Sequence, residues 1–170
     1  MTFPPEKRAL ALRIAARLRD IPRHRAALVI AMASFGGDFD RDAFVTAAAS
    51  DDPEELVRAY PIQSGFENLQ NHITGLTRDA LELAGDIDAS ERPNAPRDLR
   101  RLQRLGAISL ARCDRIIEFQ ELRSSLQHTY AHTGPLELHT AVLGLLAEVD
   151  GFLSDYQRWL KTVIDALDQP

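Results

Sequence analysis

Chemically active side chains are concentrated in one segment of the chain, residues 123–132. Within about three helical turns, seven residues of this segment supply a guanidinium, two imidazoles, a phenol, an amide and two serine hydroxyls. These groups belong to Arg123, Ser124, Ser125, Gln127, His128, Tyr130 and His132. A helix that needs only solubility would more often carry Lys and Glu at such positions. The segment is therefore predicted to be a functional site.

The same side chains suit the cleavage of an RNA phosphodiester. A histidine such as His128, with an ordinary pKa of ~6.5, can take a proton from the 2′-OH or give one to the leaving 5′ oxygen. Arg123 can hold the phosphate and stabilise the growing negative charge without a metal ion. The two residues lie ~140° apart around one helix axis, so a single helix aims them poorly at one phosphorus atom. Two copies meeting at a two-fold axis would form a shared cleft, which predicts a homodimer.

A zinc site is the alternative for this segment, because His128 and His132 lie four residues apart and His139 follows. A third ligand is not evident, since Glu137 lies beyond a predicted helix break. We therefore expect neither a metal nor a cofactor. The single cysteine, Cys113, lies among apolar residues and is predicted to be a core side chain, not a nucleophile. One cysteine, no signal peptide and no apolar span of ~20 residues together predict a cytoplasmic protein.

Hydrophobic spacing predicts the helices that must position the segment. In the N-terminal third, helices are predicted from Pro5 to a break or kink at Pro22, over 25–33, and from the cap Asp40 to Ala49. A helix start follows at Asp52–Glu55, and the next helix covers 62–84 and stops at Gly85. After a loop at 86–97, helices are predicted over 98–105, from the cap Ser109 to about Ala131, and over 135–167. No stretch alternates with the period of a β-strand. The chain is predicted to be all-α, a single domain over residues 1–170. Its architecture should be an antiparallel up-and-down bundle of four to five main helices with short extra helices.

Charge is unevenly distributed along the chain. The formal net charge of −5 argues against a general nucleic-acid binder. Residues 26–91 nevertheless carry thirteen acidic and three basic side chains, whereas residues 92–123 carry eight arginines and four acidic side chains. The second block predicts a local surface that attracts phosphate. The alternative is that each block is only a solvated helix face.

The motif segment resembles the HEPN domains, a family with an Arg-x4-6-His signature. Arg123, His128 and Tyr130 match the narrower Arg-Asn-x-x-x-His-x-Tyr form of the HepT-like ribonuclease toxins. The entry to the motif helix, 106–109, and the segment 66–71 on an earlier helix are also similar to that family. So is the long amphipathic helix that follows the motif.

The resemblance implies a metal-independent endoribonuclease toxin of a type VII-like toxin–antitoxin system. Arg123 and His128 would be the catalytic pair at a composite dimer site, and Ser124 and Gln127 would be supporting motif residues. Tyr130 would be the position that a cognate nucleotidyltransferase antitoxin adenylylates to silence the toxin. The added nucleotide would place bulk and negative charge where RNA phosphate must lie.

With RNA as the substrate, the arginines before the motif acquire an expected role. Arg112, Arg115 and Arg104 are predicted to contact the RNA backbone. One departure from the family pattern is Ser124, which stands where the family usually has Asn and which reaches less far. A catalytically inactive HEPN module that binds RNA or protein is therefore the alternative. A helical bundle that only mediates protein contacts through the last helix is a third possibility.

Overall fold

The computed structural model describes residues 4–128 and 134–167, with the side chains of 125–128 excepted. Six helices, and no strand, occur in these two ranges. They are α1 (Pro5–Ala33), α2 (Arg41–Ala48), α3 (Pro53–Ala84), α4 (Ala95–Arg104), α5 (Leu110–His128) and α6 (Pro135–Leu167). The predicted all-α class is confirmed.

Helices α1 and α3 form the most extensive pair and run antiparallel. Near the end of α1, Leu28 packs against Gly65, and nearer the start of α1 the Nε of Arg17 lies 3.0 Å from Asp79 Oδ2. The Arg17 guanidinium crosses directly over Gly75, where an added Cβ would lie 2.3 Å from it. The small residues of α3 therefore let α1 approach closely along its length.

The long helices α3 and α6 run parallel to each other, and α5 runs antiparallel to α6. The buried Tyr156 hydroxyl donates to the Leu76 carbonyl at 3.2 Å, and Leu138, near the start of α6, lines the same groove as Ala59 near the start of α3. Arg112 at the start of α5 pairs with Asp155 far along α6. The four long helices thus alternate in direction along the chain, and the predicted up-and-down bundle is confirmed.

The local signals at helix ends behave as the sequence predicts. Asp40 accepts a hydrogen bond from the Ala43 N–H at 2.7 Å, and Asp52 accepts one from the Glu54 N–H at 2.9 Å. Gly85 ends α3 with φ +77°, a left-handed conformation that glycine adopts without penalty. Ser109 Oγ accepts from the Arg112 N–H at 3.2 Å at the start of α5.

Three predicted boundaries are wrong. The helix predicted to start at Asp52–Glu55 and the helix predicted over 62–84 are one helix, α3, with Pro61 inside it. Of the break or kink predicted at Pro22, the break does not occur, because α1 is one helix with Pro22 inside it; the kink stays a prediction. The buried side chains Ile14, Ile21 and Leu28 lie on both sides of the proline, and their packing outweighs one lost backbone hydrogen bond. The basic helix begins at Ala95, not at Asp98, because Asn94 caps it by accepting from the Arg97 N–H at 2.9 Å.

The apolar stripe predicted for the last helix supplies much of the core. Its members from Leu138 to Phe152, and Tyr156 after them, are buried, whereas Trp159, Val163 and Leu167 are half-buried. In the two ranges that the structure covers, no helix combines the length and the apolar character needed to cross a bilayer.

Candidate functional site

The described part of the predicted catalytic segment, residues 123–128, forms the end of α5. Leu122 packs partly against the core, Arg123 is half-buried and Ser124 is exposed. The Nε atom of Arg123 is buried and has no hydrogen-bond partner. Burying a charged donor without a partner costs free energy of folding. The position of the Arg123 Nε therefore does not stabilise α5 through a hydrogen bond.

The remaining motif residues are only partly covered by the structure. Gln127 and His128 belong to the last turn of α5, and their side chains lie outside the described residues. Tyr130 and His132 lie outside the described residues altogether. The predicted pairing of Arg123 with His128 across a dimer therefore stays a prediction.

A groove of about 480 Å³ opens between α5 and α6 beside the motif. It is lined by Leu122, Leu136 and the buried ring of Phe119, with Arg115 and Glu118 on its edge. The Arg115 guanidinium carbon lies 5.6 Å from the centre of the Phe119 ring. The groove thus combines an apolar floor with a cation near its rim.

The three arginines predicted to contact RNA occupy different environments. Arg104 is exposed, and none of the described carboxylates pairs with it. Arg115 is exposed and pairs only with Glu118 of its own helix, at 3.4 Å. These two are free to meet a phosphate from solution.

Arg112 is instead held inside the bundle. Its Nε lies 3.3 Å from Glu148 Oε2, and its Nη1 contacts Asp155. The guanidinium rests over Gly151, where an added Cβ would lie 2.3 Å from Nη2. The structure therefore places Arg112 as a link between α5 and α6, and its predicted contact with RNA would require these ion pairs to open.

Most of the other arginines in the basic block are also compensated. Arg97 pairs with Asp98 at 3.1 Å and with Glu91 at 3.0 Å. Arg101 approaches Glu91 to 2.7 Å, and Arg100 contacts Asp114. Most of the arginines described in residues 92–123 thus form ion pairs with nearby carboxylates, and only some of their positive charge faces solvent.

Two further residues weighed for chemistry have structural roles. Cys113 is buried, as predicted, and burial raises the pKa of its thiol, which disfavours the thiolate needed for nucleophilic attack. The buried His139 ring lies 4.4 Å from the Phe39 ring, and its Nε2 is 2.8 Å from the Phe39 carbonyl oxygen. Among the described residues, no group of three His, Cys, Asp or Glu is placed to hold a metal ion.

A polar layer between α3 and α5 was not predicted. Gln120, one turn before Arg123, donates through Nε2 to Thr74 Oγ1 at 2.8 Å. Gln70, one turn before Thr74, is fully buried, and neither of its side-chain polar atoms has a hydrogen-bond partner. A glutamine at a helical position otherwise filled by apolar residues is the sequence signal that could have identified this layer.

Comparisons of the chain with family models, with curated proteins and with solved structures give no match.

Proposed function

We propose that this chain is a metal-independent endoribonuclease toxin of the HEPN class, acting as a homodimer in the cytoplasm. The observation that carries the proposal is Arg123, a cation with a buried, unpartnered Nε, set five residues before His128 on the last turns of α5. A cation with an unpartnered donor, five residues before a histidine on the same helix, is the kind of pair that could bind an anion and move a proton.

The proposed reaction needs only groups of this chain. His128 takes the proton of the RNA 2′-OH, and the 2′ oxygen attacks the adjacent phosphorus. The bond to the 5′ oxygen then breaks, and that oxygen leaves with a proton, from the imidazolium of His128 or of its two-fold mate. The products are a 2′,3′-cyclic phosphate and a 5′-OH. Arg123 stabilises the negative charge that develops on the phosphoryl oxygens.

Regulation is proposed to act at Tyr130, two residues after His128. A partner nucleotidyltransferase would attach an adenylyl group to its phenol. The added phosphate would carry negative charge into the position where the phosphate of RNA must bind.

The test is cleavage of a labelled RNA in the presence of EDTA by the wild type, Arg123→Ala and His128→Ala. We expect the wild type to produce fragments that end in a cyclic phosphate, and each variant to be slower by at least ~10²-fold. Arg19→Ala and His24→Ala, on α1, are matched controls and should cleave like the wild type. Equal cleavage by wild type and His128→Ala, or no cleavage by any of them, would refute the proposal.

A second candidate is favoured by Ser124, which is exposed at the position after the arginine. A serine there offers a shorter side chain than the asparagine of the similar family. The chain would then bind RNA through Arg123 without cutting it. In that case RNA binding persists in EDTA with no product, Arg123→Ala abolishes the binding, and Ser124→Asn restores cleavage.

A further inference from the structure

An apolar groove lies between α2 and α3, at the end of the bundle where α6 begins. We call it the α2–α3 groove. Its floor is formed by Phe44, Ala59 and Leu138, which are buried, and its wall is formed by Leu56, Val57 and Tyr60. Its volume is about 660 Å³. The groove beside the motif is smaller, about 480 Å³.

The wall of the α2–α3 groove exposes large apolar side chains together. Val57 is 73% exposed, Tyr60 64% and Leu56 43%. Single exposed apolar residues are common on protein surfaces, but a contiguous set beside a cavity marks an interaction site. The three lie in the first two turns of α3, where no other described helix covers them.

The surroundings of the groove are strongly acidic. Residues 38–67, which include α2 and the first half of α3, contain eight acidic side chains and only two arginines. Both arginines are already paired: Arg41 lies 2.9 Å from Asp42, and Arg58 lies 3.0 Å from Glu55. Asp51 and Glu54, beside the wall, are exposed and pair with no described cation.

We propose that the α2–α3 groove binds a basic amphipathic helix of a partner protein. A groove bounded by two helices accepts a third helix by interdigitation of side chains. Apolar residues spaced at i, i+4 and i+7 on the partner would fill the groove. Lysines and arginines on its flanks would meet the unpaired carboxylates at the rim, which set orientation and speed association.

The apolar wall and acidic rim of the α2–α3 groove would bind such a helix whether or not the chain cleaves RNA. The bound helix would lie at the same end of the bundle as Arg123, because the groove includes Leu138 of α6 and the motif ends α5. A partner held there would be positioned next to the motif segment.

The probe is a peptide of about 18 residues, roughly five helical turns, in which Leu recurs at i, i+4 and i+7 on one helix face and Lys fills the flanking positions. A second peptide carries Glu in place of every Lys. Binding of each labelled peptide to the full chain is followed by fluorescence anisotropy at low and high salt. We expect the Leu/Lys peptide to bind, with an affinity that falls as salt rises, and the Leu/Glu peptide not to bind.

Variants locate the binding on the surface. Val57→Ser with Tyr60→Ser should weaken binding by at least about tenfold, since central apolar anchors dominate such interfaces. Asp51→Asn with Glu54→Gln should weaken it and flatten its salt dependence. Leu12→Ser with Ile30→Ser is the matched control, because these α1 side chains are 65% and 74% exposed and do not line the groove.

Three outcomes would overturn the proposal. The groove variants could bind the Leu/Lys peptide as well as the wild type does. The control variants could lose as much affinity as the groove variants. Finally, sedimentation could show that the chain associates with itself until Val57 and Tyr60 are replaced, which would assign the groove to a second copy of the chain.

Discussion

Most buried polar side chains described in this bundle have a hydrogen-bond or ion-pair partner. The few that have none therefore mark positions with a possible role beyond packing. Asp79 is held by Arg13 and Arg17, whereas the Nε of Arg123 and the Nδ1 of His72 are buried without partners. The type and spacing of Arg123 could be recognised in the sequence. Its half-burial could not, because burial depends on which helices meet around α5.

His72 provides a test of buried titratable groups. Its ring lies 4.6 Å from that of His24. Burial lowers the pKa of His72 below its usual value, the positive charges of His24 and Arg17 lower it further, and Asp20 opposes them. The folded chain therefore binds a proton at His72 less readily than the unfolded chain does.

This predicts that the free energy of unfolding keeps its full value above about pH 6.5, where His72 is neutral in both states. It should fall as the pH drops below that value. Urea unfolding at about pH 7.5 and about pH 5.5 measures the loss. His72→Gln should show a smaller loss between these two pH values than the wild type, and His24→Gln an intermediate one. An identical loss in wild type and His72→Gln would contradict this assignment.

Helix ends could be predicted from the sequence where nearby side chains determine them. They were harder to predict where packing against another helix determines them. The caps Asp40 and Asp52 and the stop at Gly85 follow from side chains within the same few residues. The continuity of α1 through Pro22 depends on contacts with α3, which the local sequence does not contain. Local rules therefore predicted most helix ends, but at Pro22 they also allowed a break that does not occur.

Because Pro22 is exposed and sits inside α1, Pro22→Ala should stabilise the chain. The change restores one backbone donor and removes the steric conflict of the ring, while no buried contact is lost. We expect the free energy of unfolding to rise by about 1–2 kcal/mol, as measured by urea denaturation. Pro5→Ala is the control, since a proline in the first helical turn costs little. A decrease for Pro22→Ala would mean that the proline itself is needed for the packing of α1.

The bundle architecture follows from the order and length of the apolar stripes on the helices, and these stripes can be read from the sequence. The partners of its charges were not. Counting charge along the chain suggested a basic surface over residues 92–123, yet Arg112 is directed to Glu148 and Asp155 of another helix. Linear charge patterns do not specify which side chains meet after folding, so the candidate RNA surface is smaller than the count implied.

The proposed composite site makes a prediction about the assembled molecule. Arg123→Ala and His128→Ala chains, co-expressed with different tags and purified as a mixed dimer, would together supply one arginine and one histidine to the cleft. RNA cleavage by the mixed dimer should exceed that of either variant alone by at least about tenfold, since each has lost ~10²-fold. A verified mixed dimer as inactive as its parents would place both residues of a working site on one chain.

Two glycines inside long helices, Gly75 and Gly151, each make room for a guanidinium from a neighbouring helix. Each position is sterically coupled to one distant arginine, Arg17 or Arg112. In related chains, an alanine at either glycine should therefore accompany a shorter side chain at the matching arginine. Such paired exchange would be an evolutionary trace of helix contact, readable without any structure.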